Sequence, residues 1–369
     1  MKFAKIIGRV YKIRDHKTIE FLQVQENGID IQVVLKQESF KKYNKHVKVG
    51  DVLYIDGQYG YTKTNQYSLF ADNLKILARP SHVIPYGQHS QHRTEELIIK
   101  DFHIIKKRFE IINKVRHAFE SKGFVHVDTP SLHPVSGGAL AQPFKTYCRG
   151  TRKDLYLRIS PELYLKRLVI AGFHKVFEMS KVFRNEGLDA THHPEFTLCE
   201  AYSANSTLEE WKDMSKELLI VLFEIYLENT PECLEMEPNV TTVDKYEEYI
   251  QTNVVGVKDK LVFVMGSPIE ATPLAKQGRN GNMLLSNAIE VYYNGIELIN
   301  CYEEENDPYL QEQKMQTYLG KVDDNYIQDL HLGMPPTTGW GLGIDRLIMI
   351  LTKSDKIASV IPFPLRGRK

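Results

Sequence analysis

The sequence predicts an α+β protein in two parts: an all-β barrel over residues 1–83, then a domain over 100–369 in which antiparallel strands are flanked by helices. Three observations carry that reading. Five strand-like runs crowd into the first 83 residues, two strand–turn–strand units lie further on, and helical periodicity begins only near Lys100.

With 369 residues, 42% of them hydrophobic and 25% charged, the chain is long enough for two or three domains with full cores. Its formal net charge is zero, so any nucleic-acid binding must come from local basic patches. Cys148, Cys199, Cys233 and Cys301 have no CxxC spacing, which argues against a zinc site or disulfide framework and for a reducing compartment. No apolar run reaches the roughly 18 residues of a membrane helix, and MKFAKIIGRVYKIRD is too charged for a signal peptide. A cytoplasmic protein with no membrane partner is expected.

In the barrel the strand runs are Ile6–Ile13, Thr18–Gln25, Ile29–Leu35, Val52–Tyr61 and Tyr67–Ile76, with a helical piece at Glu38–Tyr43. Five strands and one intervening helix suggest an OB-fold, whose exposed face commonly binds single-stranded nucleic acid. Phe21 taken alone reads as core, with a stacking platform as the alternative. The stretch from Arg79 to about Glu96, with two prolines and three histidines (His82, His89, His92), reads as a polar linker in preference to a metal site, and the linker proper is set at residues 84–99. Phe109, Ile112, Val115 and Phe119 then recur at helical spacing, Gly123 ends that helix, and FVHVDTP follows as a strand.

Residues 155–202 place charge where a core would want none. Ser160 is a good N-cap and Pro161 a good first residue for a helix over Pro161–Ala171, which puts Glu162 in the first turn, where the dipole favours a carboxylate. That position alone reads first as plain dipole capping on a surface. Lys175–Phe183 and Glu195–Tyr202 are strands, and period two puts Phe196, Leu198, Glu200 and Tyr202 on one face. A buried Glu200 needs a cation, either Arg184 or a charged ligand. An Arg for phosphate and a Phe for a base make this hairpin a plausible nucleotide clamp.

AIEVYY-NG-IELINCY is a hairpin whose Asn294-Gly295 favours a type I′ turn. Tyr292 then pairs with Glu297, so Glu290 lies diagonal to Glu297 on one face. The two carboxylates repel unless a cation joins them, or the face is simply solvated. Gly339–Arg346, GWGLGIDR, reads as a glycine-rich turn leading into a helix, without the strand context of a Rossmann fingerprint.

FRNEG…HHPEFTLCEAY resembles motif 2 of the class II aminoacyl-tRNA synthetases, in the subclass IIb form of the lysyl-tRNA synthetases, and LRISPELYLKRLVIAGF is similar to the segment that precedes it there. The helix–strand–Pro unit ending at Pro130 resembles motif 1, which implies a homodimer, and GWGLGIDR resembles motif 3. Ser136–Phe144 resembles GGA-x-ARPF, implying that Gly138 lies against the amino acid; Gln142 stands where arginine is usual, and Tyr147-Cys148-Arg149 replaces His-His-Asn. The strands over 18–36 look like the anticodon-binding domain, implying that Phe21 stacks on an anticodon base and Gln32 hydrogen-bonds to it. Thr64-Asn65-Gln66 replaces a TGE-like turn. The interval from Tyr202 to Phe263 is shorter than the family's.

The resemblance implies ATP-dependent activation of L-lysine and transfer to the 3′ end of tRNA(Lys). It implies that Arg184 and Arg346 are catalytic on the α- and γ-phosphates, that Phe196 stacks on adenine between Glu186 and His192, and that Glu290 and Glu297 hold Mg2+. Gly138, Glu162, Glu200, Tyr202, Asn300, Tyr302 and Glu304 would bind lysine, three carboxylates suiting its two ammonium groups. Strict alternation puts Asn300, Tyr302 and Glu304 opposite Glu297, so this assignment requires a bulge near Leu298–Ile299. Two other readings remain: a lysine ligase for a protein or other non-tRNA acceptor, as in the relative that modifies an elongation factor, and a non-catalytic RNA-binding paralogue. The barrel argues against the first, and the intact Arg184, Arg346, Glu290 and Glu297 against the second.

Overall fold

The computed structural model describes residues 2–16, 18–36, 47–86 and 92–366, and the chain falls into two compact units, Met1–Ile105 and Lys106–Lys369. In the first, β1 (Phe3–His16), β2 (Ile19–Glu26), β3 (Ile29–Lys36), β4 (Val52–Tyr61) and β5 (Tyr67–Ala78) close a barrel in the order β1-β2-β3-β5-β4. Alternation builds it: Val10, Leu22, Val24, Val33, Leu53, Ile55 and Leu69 turn inward to one apolar core. The Glu38–Tyr43 helix lies outside the described residues.

Phe21 is not core. It neighbours the inward-facing Leu22, pairs with Val34 and is half-buried on the outer face, because period two assigns the interior to Leu22 and Val24. Within the stretch expected as linker, Ile84 is buried and Arg93–Glu96 form a helical turn, with His82 paired to Glu95 at 2.9 Å. That turn continues through a wider one at Leu97–Asp101 into the helix Phe102–Ser121.

The second unit is built on an eight-stranded sheet. Its strands are β6 (Val125–His126), β10 (Lys175–Phe183), β11 (Glu195–Ala204), β12 (Glu232–Met236), β13 (Lys260–Met265), β16 (Ala288–Tyr293), β17 (Ile296–Glu303) and β18 (Thr337–Gly343). They lie in the order β12-β13-β16-β17-β18-β11-β10-β6, antiparallel except for β12–β13 and β10–β6. Beside it, β7 (Leu132–His133), β8 (Lys145–Cys148) and β9 (Lys153–Leu157) form a small sheet, and β14 (Gln277–Arg279) and β15 (Asn282–Ser286) a hairpin.

Helices cover one side. Leu208–Leu227 starts at a capping box in which Thr207 and Glu210 satisfy each other's backbone N–H, and Trp211 on it meets Phe119 and Trp340. The Phe102–Ser121 helix buries Arg108, Ile111, Val115 and Phe119, whereas Phe109, expected on that stripe, is 52% exposed. The stripe is turned because Arg108 is drawn inside: it is ion-paired with Asp345 and donates to Thr197 Oγ1 at 2.9 Å, while Asp345 Oδ2 accepts from Thr197 N at 2.6 Å. This buried knot ties the helix to β11 and to the helix Ile344–Leu351.

Candidate active site

On the other side the sheet carries a cavity of about 470 Å³. Its centre is β18, expected as a turn but folded as a strand. Trp340 and Leu342 point back into the core, and the alternate positions Gly339, Gly341 and Gly343 line the cavity. Three side chains of one hydrogen each leave a groove between β11 and β17, whose Tyr202, Glu200 and Tyr302, Asn300 flank Gly339 and Gly341. A Cβ on Gly339 would lie 2.0 Å from Glu304 Oε1 and 2.5 Å from Tyr202 Cε1. The strand must be bare there.

β17 carries the required bulge. The Asn294-Gly295 turn has positive φ at both residues, Tyr292 pairs with Glu297, and Val291 pairs with Ile299, so Leu298 is the extra residue. Glu290 then faces Asn300 and Ala288 faces Tyr302, which puts Asn300 and Tyr302 on the Glu290 face.

Every expected site residue of this unit lines the cavity except Glu290 and Glu304. At one end the Arg184 guanidinium stands 5.2 Å over the Phe196 ring, and burial pulls its pKa below the usual value against the charges of Glu186, Glu200 and Glu297. Arg346 donates to the Glu297 carbonyl at 3.1 Å and meets His192 Nε2 at 3.1 Å, while His192 Nδ1 lies 2.8 Å from Asp189 Oδ2. Asp189, unnoticed in the sequence, accepts from the Thr191 amide first and then from His192, which hold its pKa at about 2. Glu186 accepts a long 3.4 Å hydrogen bond from the backbone of Gln142.

At the other end carboxylates gather. The helix runs Glu162–Ile170, a residue shorter at each end than expected, with Pro161 as its cap. The Ser160 hydroxyl accepts from Glu162 N at 3.0 Å and donates to Glu200 at 2.9 Å. Gly138, at φ +87°, packs its backbone on Ser160, where a Cβ would sit 3.1 Å from Oγ. Glu162 is buried, so surface dipole capping is ruled out; it accepts from Tyr302 OH at 2.9 Å and from Lys166 Nζ at 2.6 Å. Arg184 does not pair with Glu200. Among the described residues Glu200 meets only hydroxyls, Ser160 and Tyr202, and burial, then the charge of Glu162, raises its pKa to about 8. Glu304 is ion-paired with Lys166 through Oε2, and its Oε1 and Asn300 Oδ1 are buried with no hydrogen-bond partner.

Lys166, wholly buried between Glu162 and Glu304, is the residue the sequence reading missed. Its spacing of four from Glu162 was the available signal.

Glu290 is 8% exposed and accepts from Tyr292 OH at 2.5 Å through one oxygen; burial, then the charge of Glu297, raises its pKa to about 7. Two crowded carboxylates, one of them open to the cavity, fit a hard divalent cation. No group of three or more His, Cys, Asp or Glu is arranged for a metal among the described residues.

In the barrel, Gln32 is 6% exposed; its carbonyl accepts from Arg14 at 3.0 Å and Gln23 at 3.1 Å, and its amide donates to Ser68 at 2.9 Å.

Residues 98–367 match the family of class II tRNA synthetases (D, K and N), and residues 4–77 match the OB-fold nucleic acid binding domain. The chain is 33% identical to a lysine–tRNA ligase of Helicobacter pylori, over 98% of its own length and 86% of that protein's. It is 34% identical to the enzyme of that name from Saccharolobus solfataricus, covering 98% and 87%, and 31% identical to that from Thermotoga maritima, covering 97% and 85%. The alignment with the Helicobacter protein spans 434 positions against 369 residues here, so that relative carries stretches this chain lacks.

Proposed function

This chain belongs to the class II tRNA synthetases of the D, K and N type, and we infer that within them it is an ATP-dependent lysine–tRNA ligase. The observation that carries the choice of lysine is the anionic end of the cavity, where Glu162, Glu200 and Glu304 converge and Glu304 Oε1 has no partner. A buried, unpartnered carboxylate oxygen is costly, and a ligand ammonium removes the cost. A neutral amino acid would leave it in place, which gives discrimination on the order of 10⁴ without editing.

Lysine lies along the β18 groove with its amines toward these carboxylates and its carboxylate toward Arg184. In the first step a lysine carboxylate oxygen attacks the α-phosphorus, a new P–O bond forms, and the bond to pyrophosphate breaks. The protein supplies no nucleophile; it positions the reactants and stabilises charge. Arg184 neutralises the α-phosphate and Arg346, held by Glu297 and His192, the γ-phosphate. Phe196 and the Arg184 plane present a stacking surface for adenine, with Glu186 and His192 at its edges. Glu290 and Glu297 are the residues that hold a divalent cation, Mg2+ in this reading, which when bound adds positive charge beside the phosphates. In the second step a ribose hydroxyl at the tRNA 3′ end attacks the aminoacyl carbonyl and AMP leaves.

The rest of the reading is drawn on the same basis. The OB-fold match favours tRNA as acceptor, with Phe21 and Gln32 toward the anticodon. A homodimer is supported by Phe109, Val125 and Leu132, apolar and about half exposed on the helix and strands before Ser136. Domains of 1–83 and 100–369, joined by 84–99, and a cytoplasmic location complete it. No described helix is long and apolar enough to cross a membrane.

The test is lysine-dependent ATP–pyrophosphate exchange with and without magnesium, then charging of total tRNA by the same preparation. Both activities are expected. Exchange without charging would move the assignment to another acceptor, and no exchange with any amino acid would end it.

A further inference from the structure

We propose that Lys166 is a positioning and specificity-determining residue of the amino-acid subsite: an internal ammonium that fixes Glu162 and Glu304 and leaves the pocket with the two negative charges that a doubly cationic amino acid neutralises. The proposal rests on the lysine-ligase reading and deepens it. Lys166 sits one turn below Glu162 on the same helix face, with none of its surface exposed. Its Nζ donates to Glu162 Oε1 at 2.6 Å, pairs with Glu304 Oε2, and lies 5.9 Å from the centres of both the Tyr302 and Tyr326 rings. Two carboxylates and two π faces surround one ammonium.

The arrangement does two things. One oxygen of each carboxylate is spent on Lys166: on Glu162 it is Oε1, which leaves Oε2 to the Tyr302 hydroxyl, and on Glu304 it is Oε2, which leaves Oε1 without a hydrogen-bond partner beside the bare strand at Gly339. It also sets the charge. Glu162, Glu200 and Glu304 put three carboxyl groups on one buried floor, where burial raises Glu200 to about 8 and holds Glu304 well above the usual carboxylate range; once a bound cation ionises all three, Lys166 brings their sum to two negative charges. A third unmatched carboxylate would take up a proton before it stayed charged, and the pocket would then accept an uncharged side chain with little loss. Burial works against the Lys166 ammonium, but Glu162 and Glu304 together outweigh it and hold its pKa well above the usual lysine value, so this countercharge is permanent.

The experiment compares wild type with K166M and K166R in ATP–pyrophosphate exchange. It reads kcat and KM for L-lysine and the inhibition constant of L-norleucine, which lacks the side-chain ammonium. In K166M the KM for lysine rises about 100-fold, kcat stays within about fivefold, and the preference for lysine over norleucine falls at least about 30-fold. K166R, which keeps the charge, retains that preference to within about threefold even where its KM rises. A K166M enzyme with lower kcat but unchanged KM and preference, or one that loses lysine and norleucine equally, overturns the proposal. Should K166M not fold, K166R decides alone: loss of the preference with the charge in place refutes it. Wild-type protein without lysine-dependent exchange would instead defeat the ligase reading before either variant is measured.

Discussion

Glu200 carries a burial cost that its own proton relieves in the free protein. It is buried against Glu162, receives two hydroxyl hydrogen bonds, and has its pKa raised to about 8. A folded pKa above the unfolded carboxyl value of 4.5 means that the folded chain keeps a proton which the unfolded chain has lost. The stability owed to this group is therefore fully present below about pH 4.5 and declines as pH rises to about 8. Binding an ammonium requires the ionised form, so on the proposed reading lysine expels that proton. Between pH 6 and 8 the KM for lysine should fall by roughly tenfold or more, and in E200Q it should be flat and at least about 100-fold higher. A wild-type KM that does not move across this range would mean that Glu200 is already ionised in the free protein.

At the scale of the element, β18 decides what the groove admits. Ala at 341 would place Cβ 3.7 Å from Glu200 Cγ and 3.8 Å from the Asn300 carbonyl, ordinary contact, whereas Ala at 339 collides with Glu304 and Tyr202. G341A should melt no lower than wild type, since Ala in a strand is favoured over Gly by about 0.5–1 kcal/mol, yet its methyl fills the path proposed for lysine and should raise KM at least about tenfold. G339A should lose both stability and exchange. G341A that melts normally with an unchanged KM would show that lysine does not lie over β18. This strand also marks where sequence reading runs out. Glycines carry no hydropathy signal, so their period of two was invisible beside a helix, and the segment reads as a turn. By contrast Asn294-Gly295 and the Phe196–Tyr202 alternation are explicit in the residue types, and the bulge at Leu298 follows once Glu297 and Asn300 must share a face.

In the molecule as a whole the chemistry occupies one unit, and the nucleic-acid fold makes up the other. What the sequence hid at this scale is polar groups turned inward. Arg108 displaces Phe109 from the buried stripe and Lys166 disappears under the active-site floor, because each answers to a carboxylate distant in sequence, Asp345 and Glu304. Hydrophobic periodicity contains no trace of such pairs. The division of labour is itself testable. Phe21 stands half-exposed on the outer barrel face, whereas Gln32 is buried, its carbonyl accepting from Arg14 and Gln23 and its amide donating to Ser68, so stacking is the larger contribution this face can offer a base. Base–aromatic stacking is worth about 1–3 kcal/mol, so F21A should raise the KM for tRNA(Lys) in charging by roughly 5- to 150-fold. Lysine-dependent exchange, which needs no tRNA, should keep its kcat and KM, because Phe21 belongs to the first unit and the cavity is lined by residues of the second. Equal losses in both assays would mean that F21A damages the fold, and unchanged charging would place the anticodon elsewhere on the barrel.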